Sequence, residues 1–333
     1  MFRCFALASL ALLAGCRAPD VFEQHARLGR GVNLGNALEG PTEGAWGRKL
    51  EDADFPRIKA AGFDSVRLPV KWSAHAAATA PYAIDPAWMA RVDHVVRANL
   101  AAGLTVVLNV HHYDELDQVP AAHRERFVAI WRQVAEHFAG FPDALQFELG
   151  NEPHGGHTAE EWNRTFPLAL AEVRKSHPTR AVHVGSAQWN QIQALSALRL
   201  PAADRHLIVH LHYYSPFHFT HQGASWVKGS EAWKGTKWEG TPVEQAAVRR
   251  DFAVAAAWAK QEGRPVFLGE FGTCSGVEDL SARVRWTGFI AREAEAHGFK
   301  WAYWEYQANF GIWDPKVQAW RRPLLDALIP PAR

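Results

Sequence analysis

The chain is poor in cysteine. Of three in 333 residues, Cys4 and Cys16 fall in the first sixteen positions and leave Cys274 alone in the body of the protein. No intramolecular disulfide framework can therefore hold it together. It also lacks an excess of charge of either sign. Lys and Arg number 36 against 35 Asp and Glu, for a formal net charge of +1 with no basic run. That balance argues against nucleic acid as a partner. Beyond the first residues no long uncharged apolar stretch is present, so no membrane-spanning helix is expected there. Internal repeats and low-complexity tracts are missing. So is a glycine-rich phosphate loop after an early strand, because Gly29-Arg30-Gly31 precedes or opens its strand. Tryptophan, by contrast, is abundant, with fifteen residues. Its flat apolar face suits both a core and the face of a sugar ring.

Residues 1–16 read as an export signal, with Arg3 supplying positive charge, a nearly wholly apolar run from Phe5 to Leu13, and small residues Ala14 and Gly15 after it. The apolar run is too short to span a bilayer. Leu13-Ala14-Gly15-Cys16 resembles the bacterial lipobox, in which the cysteine is lipidated and becomes the mature N-terminus. The alternative is simple cleavage nearby, with Cys16 incidental. On the lipobox reading the protein is exported to the bacterial cell envelope and meets the membrane only through Cys16, since several acyl chains anchor firmly where one does not. Residues 17–27 are then a short tether, and 28–333 form one folded domain expected to be a monomer.

About 310 residues remain after the leader, enough for one large α/β barrel or two smaller domains. Short apolar runs at 31–34, 65–70, 105–110, 145–149, 181–185, 207–212, 265–269 and 300–304 read as strands. Helical stretches lie between them near 51–61, 86–102, 121–139, 158–176, 189–197, 242–262 and 281–297, with a short closing helix after Pro323. Strands that alternate with helices pair in parallel, because each crossover needs a helix to bring the chain back. Eight such units predict a (β/α)8 TIM barrel in a single domain. The longest irregular stretch, 213–241, follows the sixth strand and is rich in aromatics, and long loops in compact domains are usually functional.

In such barrels chemistry sits where the strands end at their C-terminal side. Those ends carry Asn36 and Glu39 after strand one, Arg67 in strand two, His111 and His112 at strand three, Asn151 and Glu152 after strand four, His212 and Tyr214 at strand six, Glu270 at strand seven, and Trp304 and Glu305 at strand eight. Taken singly, each has a bland explanation, an ion pair or core packing. Gathered at one rim they do not, since burying polar groups costs free energy unless each is paired. Glu152 and Glu270 stand out: 118 residues apart, both close strands. Two glutamates facing across a barrel mouth are what glycoside hydrolysis needs, one protonated to assist the leaving oxygen and one ionised to attack or to activate water. Glu148 shares the inward parity of Glu152 but lies deeper, where it is expected to pair inside the barrel.

Arg67-Leu-Pro-Val-Lys-Trp72, Asn151-Glu-Pro153, His212-Tyr-Tyr214 and Gly269-Glu-Phe-Gly272 resemble glycoside hydrolase family five, of the superfamily named for glutamates on strands four and seven. Gly31-Val-Asn-Leu-Gly-Asn-Ala-Leu-Glu39, Asn109-Val-His-His-Tyr113, the 216–226 segment and Trp301-Ala-Tyr-Trp-Glu305 narrow the resemblance to bacterial cellulases that also act on mannan. Together these segments span nearly all of 28–329. The resemblance implies a retaining endo-β-1,4-glycanase without cofactor or metal. Its partner would be a β-1,4-linked polysaccharide: cellulose, mixed-linkage glucan or glucomannan, with mannan as a further substrate and a primary mannanase as the alternative. By the same resemblance Glu152 is the acid/base and Glu270 the nucleophile, with Arg67, Asn151, His212 and Tyr214 in support. Asn36, Glu39, His111, His112, His221, Trp226 and Trp304 are implied substrate contacts.

Two rivals come from other classes. His111-His112 and His210-Leu-His212 are ligand-like, which suits a metal-dependent barrel hydrolase. Against it, such barrels want His-x-His at strand one, which here ends in Asn. The other rival is a glycan-binding barrel without chemistry, against which stand both intact glutamates. A small residue tucked behind its loop is the expectation for Cys274.

Overall fold

The computed structural model describes residues 19–47, 49–277 and 279–331. Eight parallel strands, β1 (Arg30–Asn33), β2 (Ser65–Leu68), β3 (Thr105–Asn109), β4 (Leu145–Glu148), β5 (Val182–Gly185), β6 (Leu207–His212), β7 (Val266–Glu270) and β8 (Lys300–Tyr303), pair in sequence order, and β8 pairs back onto β1 to close a barrel. This is the (β/α)8 TIM barrel that the alternation of elements predicts.

The crossover helices start where the sequence marks them. Asp85 caps Pro86–Ala101 by accepting from the Ala87 N–H, and Thr158 caps Ala159–Ser176 by accepting from that of Glu161. Thr241 and Glu244 form a reciprocal capping box on Pro242–Glu262, which Gly263 closes in the left-handed conformation. Leu145, Phe147 and Leu149 of the fourth strand segment join one large apolar cluster with Phe127, Trp131, Trp162 and Phe166 of these helices. Apolar strand residues thus face outward to the helices. The opposite parity faces the barrel axis, and outside an apolar floor layer of Val107, Ile208, Phe267 and Ala302 it is polar: Asn33, Arg67, Asn109, Gln146, Glu148, His183 and His210 are all fully buried.

The floor of the barrel departs from expectation. Residues 17–27 read as a tether, yet Val21–Ala26 is a helix with Asp20 and Glu23 in a capping box. Gln24 bonds the Thr179 carbonyl and the Ala181 N–H, and its own carbonyl accepts from Gln146. The His25 ring meets the Val266 carbonyl at 2.7 Å. Val21 and Leu28 pack with Val107, Ala181, Ile208, Phe267 and Ala302. This short segment is therefore a plug: its polar groups satisfy backbone at the strand starts. Residues 1–16, with the expected export signal and Cys16, lie outside the described residues. Among those described, no helix is long and apolar enough to cross a membrane.

Two further differences lie near the mouth. The helix expected over 189–197 is instead a left-handed run, Gln188, Trp189 and Asn190 at φ of 58°, 58° and 56°, followed by a 3-10 turn over Ile192–Ala197. In β7 the register skips a residue: Leu211 pairs with Leu268 but His212 with Glu270. That bulge at Gly269 turns Glu270 to the barrel axis, beside His212.

Candidate active site

Arg67 organises the mouth. Fully buried on β2, its guanidinium donates to both Glu148 oxygens at 2.6 and 2.7 Å, to Asn33 Oδ1 at 2.9 Å, to Asn151 Oδ1 at 2.6 Å and to Glu270 Oε1 at 2.6 Å. A lone buried cation would be very unfavourable, so the carboxylates on β4 and β7 compensate it, with Glu148 taking the planar fork. The deeper pairing expected of Glu148 is thus found. Because Arg67 can only donate, it fixes the Asn151 amide with its oxygen inward, leaving the NH2 to serve a sugar hydroxyl.

Glu152 does not close a strand as expected. β4 stops at Glu148, and Glu152 sits four residues on in a left-handed conformation, φ 47°. Its Oε1 lies 2.6 Å from His212 Nδ1, and that nitrogen is 3.6 Å from Glu270 Oε2. One oxygen each of Glu152 and Glu270 lies, with His212, within a 4.8 Å group. An approach within 4.8 Å for one oxygen of each favours the retaining arrangement, whose carboxyl groups stand roughly 5–5.5 Å apart, over the inverting one at roughly 6.5–9.5 Å.

The two carboxyls differ in their surroundings. Burial raises Glu152 to about 7, partly opposed by the Arg67 charge. It does so although a quarter of the side chain opens to the cleft. Burial also raises Glu270, but the Arg67 charge and a 2.8 Å hydrogen bond from the Tyr214 hydroxyl pull it back. Glu270 therefore has two fixed donors on its oxygens, and Glu152 has no cation in contact. Such an asymmetry sorts a pair into an ionised nucleophile and a protonated acid. Burial lowers His212 to about 4, so at neutral pH its ring is uncharged.

A cleft of about 990 Å³ opens over this pair. It is lined by Asn36, His111, His112, Asn151, Glu152, His212, Tyr214, His221, Trp226, Glu270 and Trp304, all expected from sequence. Trp304 stacks parallel to His111, centroids 5.8 Å apart, and a side chain at Gly35 would collide with its ring. Asn109 bonds His111 Nδ1 at 3.0 Å and so orients that ring.

Glu39 is a correction. Expected to touch substrate, it is 1 % exposed, and its carboxylate accepts the backbone N–H groups of Asn36 and Ala37. It holds the left-handed turn at Asn36 from behind. The 213–241 loop does serve the site, through Tyr214, Phe217, His221 and Trp226. Cys274 is buried with Ala224 and Phe310 behind the cleft wall.

Sequence reasoning missed Trp46, Trp189, Phe217, Asn309 and Phe310 on the cleft walls. Trp46, Trp189 and Phe217 are large apolar side chains left 44–47 % exposed, and Trp189 stacks on His154 at 4.9 Å. The excess of tryptophan hinted at Trp46 and Trp189, and the aromatic-rich 213–241 stretch at Phe217, but none of the five lies in a segment whose periodicity would place it on the cleft.

The metal rival is tested by the same geometry. Glu152, His212 and Glu270 are the one metal-ligand-like group among the described residues. Yet Glu270 already binds the Arg67 cation and the Tyr214 hydroxyl, so a divalent ion would sit against a fixed positive charge. The ligand-like His210 and His212 face each other, Nε2 to Nε2 at 3.0 Å, rather than converging on a common point. The donor set does not fit a metal hydrolase.

The comparisons agree with this arrangement. Endoglucanase H of Acetivibrio thermocellus is 37 % identical over 306 residues, 92 % of this chain and 32 % of that protein, so the chain spans about a third of that relative's length. Thermotoga maritima Cel5A, solved in complex with mannotriose and with cellobiose, is 45 % identical with a TM-score of 0.91, covering 93 % of this chain and 100 % of that one. The family profile described as cellulase (glycosyl hydrolase family 5) matches residues 29–310, from just before β1 to the loop beyond β8. With its two glutamates on the fourth and seventh strand units, the chain belongs to the cellulase family, glycosyl hydrolase family 5.

Proposed function

We propose that the chain is a retaining endo-β-1,4-glucanase. The observation that carries this is the close approach of Glu152 and Glu270 in unequal surroundings. Glu270 attacks the anomeric carbon while Glu152 passes its proton to the departing glycosidic oxygen, leaving a sugar ester on Glu270. Glu152, now ionised, takes a proton from water, whose oxygen displaces Glu270 and restores both groups. Asn151 holds the sugar through its amide NH2, Trp304 offers a flat face to the ring, and the open cleft admits a chain along its length, which suits internal cleavage.

Glucan is the primary substrate class and mannan a second, favoured by the neighbour solved with mannotriose as well as cellobiose. Initial rates of reducing-end release on carboxymethyl cellulose, barley glucan, glucomannan and mannan measure the preference. Glu270→Ala and Glu152→Gln each lower release from barley glucan by at least ~10³-fold with the fold intact by circular dichroism. Near-normal release by either variant would overturn the assignment, and release that collapses with a chelator would favour the metal rival.

The same reading makes the protein an exported monomer held at the cell envelope by lipid on Cys16. In support, the helix Val21–Ala26 lies on the barrel floor, opposite the cleft, so an anchor just before it would hold the cleft away from the bilayer. Detergent partitioning of wild type and Cys16→Ala expressed with the full leader tests it. Equal partitioning of the two would refute the anchor.

A further inference from the structure

The barrel interior holds a column of histidines that the reaction does not use. His183 on β5 and His210 and His212 on β6 follow one another toward the mouth, ring centroids 5.8 and 5.0 Å apart. His212 meets Glu152. His210 lies beneath it, fully buried, in a place the backbone is shaped to leave open: a Cβ on Gly269, the bulged residue before the nucleophile, would run into its ring.

The protons in this column can be placed. His210 Nε2 and His212 Nε2 are 3.0 Å apart, so one carries a proton and the other accepts it. Both rings are held neutral by burial, and a neutral imidazole has one proton. His210 Nδ1 has no hydrogen-bond partner, and the charged oxygen facing it is Glu148 Oε2 at 3.6 Å. A bare nitrogen there would set a lone pair against a carboxylate, whereas an N–H is attracted. The His210 proton therefore sits on Nδ1 and its Nε2 accepts. It follows that His212 carries its proton on Nε2 and presents a bare Nδ1 to Glu152 Oε1, 2.6 Å away. Glu270 Oε2 also lies 3.6 Å from that nitrogen, but it already accepts the Tyr214 hydroxyl at 2.8 Å, and the far shorter contact to Glu152 needs a proton that only Glu152 is left to supply.

We propose that His210 is a positioning residue which, by fixing the tautomer of His212, holds Glu152 in the protonated form from which its general-acid step begins. Glu148 thereby acts on the acid/base through two imidazoles, besides its pairing with Arg67. The inference rests on the reading of Glu152 as the acid. The other groups facing Glu152 are Arg67 of β2, Glu148 of β4, Tyr214 after β6, Glu270 of β7, His154 of its own loop and Asp117 of the helix Asp114–Gln118. Those facing His210 are Arg67, Glu148, His111, His183 and His212. Substituting His210 changes none of these side chains.

The test is the pH profile of kcat/KM on barley glucan for the full chain, wild type against His210→Leu and His210→Gln. Leucine leaves His212 Nε2 without an acceptor, so the buried ring takes the Nδ1–H tautomer, donates to Glu152 and favours its ionised form. The alkaline limb moves to lower pH by about one unit, the size of one hydrogen bond's difference between two protonation states. Glutamine restores the limb, because its amide oxygen accepts from His212 and its NH2 donates toward Glu148. An unmoved limb in His210→Leu, or an equal shift in His210→Gln, overturns the proposal, since a merely space-filling role predicts neither pattern. Nitrogen-15 NMR of histidine-labelled wild type, assigned with His210→Gln, reads the same point without a fold-threatening variant. Nδ1–H on His210 and Nε2–H on His212 below the limb support it, and the reverse tautomers overturn it. Failure of the acid assignment itself is distinguishable, because it appears as activity retained by Glu152→Gln.

Discussion

At the scale of single residues the site is a problem in electrostatics solved by one arginine. Arg67 ties four partners from β1, β4 and β7 and the loop after β4, so removing it would leave Glu148 buried and unpaired rather than merely loosen a contact. The same charge separates the two catalytic carboxyls by holding Glu270 directly and Glu152 only at a distance. A pH dependence follows, with its sign. Glu152 must be protonated to assist the leaving oxygen, and burial raises it to about 7. Activity is therefore present below that value and lost as pH rises through it. We expect kcat/KM on barley glucan to fall tenfold per pH unit above about 7, while an aryl cellobioside whose leaving group needs no proton shows no such limb in its glycosylation step. A burst experiment on a dinitrophenyl cellobioside checks this. The same alkaline limb on both substrates would contradict it.

At the scale of elements, what was legible in the sequence is what periodicity and punctuation encode. The eight strands and most crossover helices fall within a few residues of where the alternation of short apolar runs with helical stretches places them. What was not legible has no periodic signal. The plug Val21–Ala26 is a single short helix: its Asp20–Glu23 capping box is a local signal, but six residues are too few for a periodic pattern, and the helix is held by bonds to distant backbone, such as Gln24 to Ala181. The left-handed run at 188–190 breaks an apparently helical stretch and lifts Trp189 onto the cleft wall. Glu39, expected as a substrate contact, is buried behind the turn at Asn36, because a loop carboxylate that caps a turn looks the same in sequence as one that faces solvent. The β7 bulge is also silent, yet it decides where the nucleophile points. Gly269→Ala should accordingly move the His210 ring or the strand. A misplacement of that order costs about 10²-fold in kcat while the chain stays folded. Steady-state kinetics beside thermal unfolding would show it, and an unchanged kcat would mean that the bulge does not set the nucleophile.

At the scale of the whole molecule, the polar barrel interior inverts the usual inside-outside rule, and it has a price in pH sensitivity. Burial raises Glu39 to about 8 and Glu152 and Glu305 to about 7. Between the ordinary carboxylate value of 4.5 and those values the folded chain holds protons the unfolded chain has lost, so this contribution to stability falls steadily as pH rises from about 4.5 and is gone above about 7 to 8. His25, His112, His212 and His221 are lowered to about 4 by burial. Here the unfolded chain binds the extra protons below pH 6.5, so stability falls as pH drops from there toward 4. Below pH 6.5 the two effects oppose each other and above it only the loss from the glutamates remains, so stability is highest at about pH 6 to 6.5 and falls above that. Urea midpoints measured from pH 4 to 9 test this. A midpoint that rises steadily to pH 9 would contradict the burial argument for the glutamates.

The central claim is that Glu152 and Glu270 work as acid/base and nucleophile in a double displacement, and product stereochemistry tests it most directly. Proton NMR of cellopentaose hydrolysis, recorded in the first minutes before mutarotation, follows the anomeric signal of the newly formed reducing ends. Double displacement makes the β-anomer appear first and decay toward the equilibrium mixture. Initial appearance of the α-anomer would mean inversion through a single displacement, and would contradict the roles assigned to both glutamates.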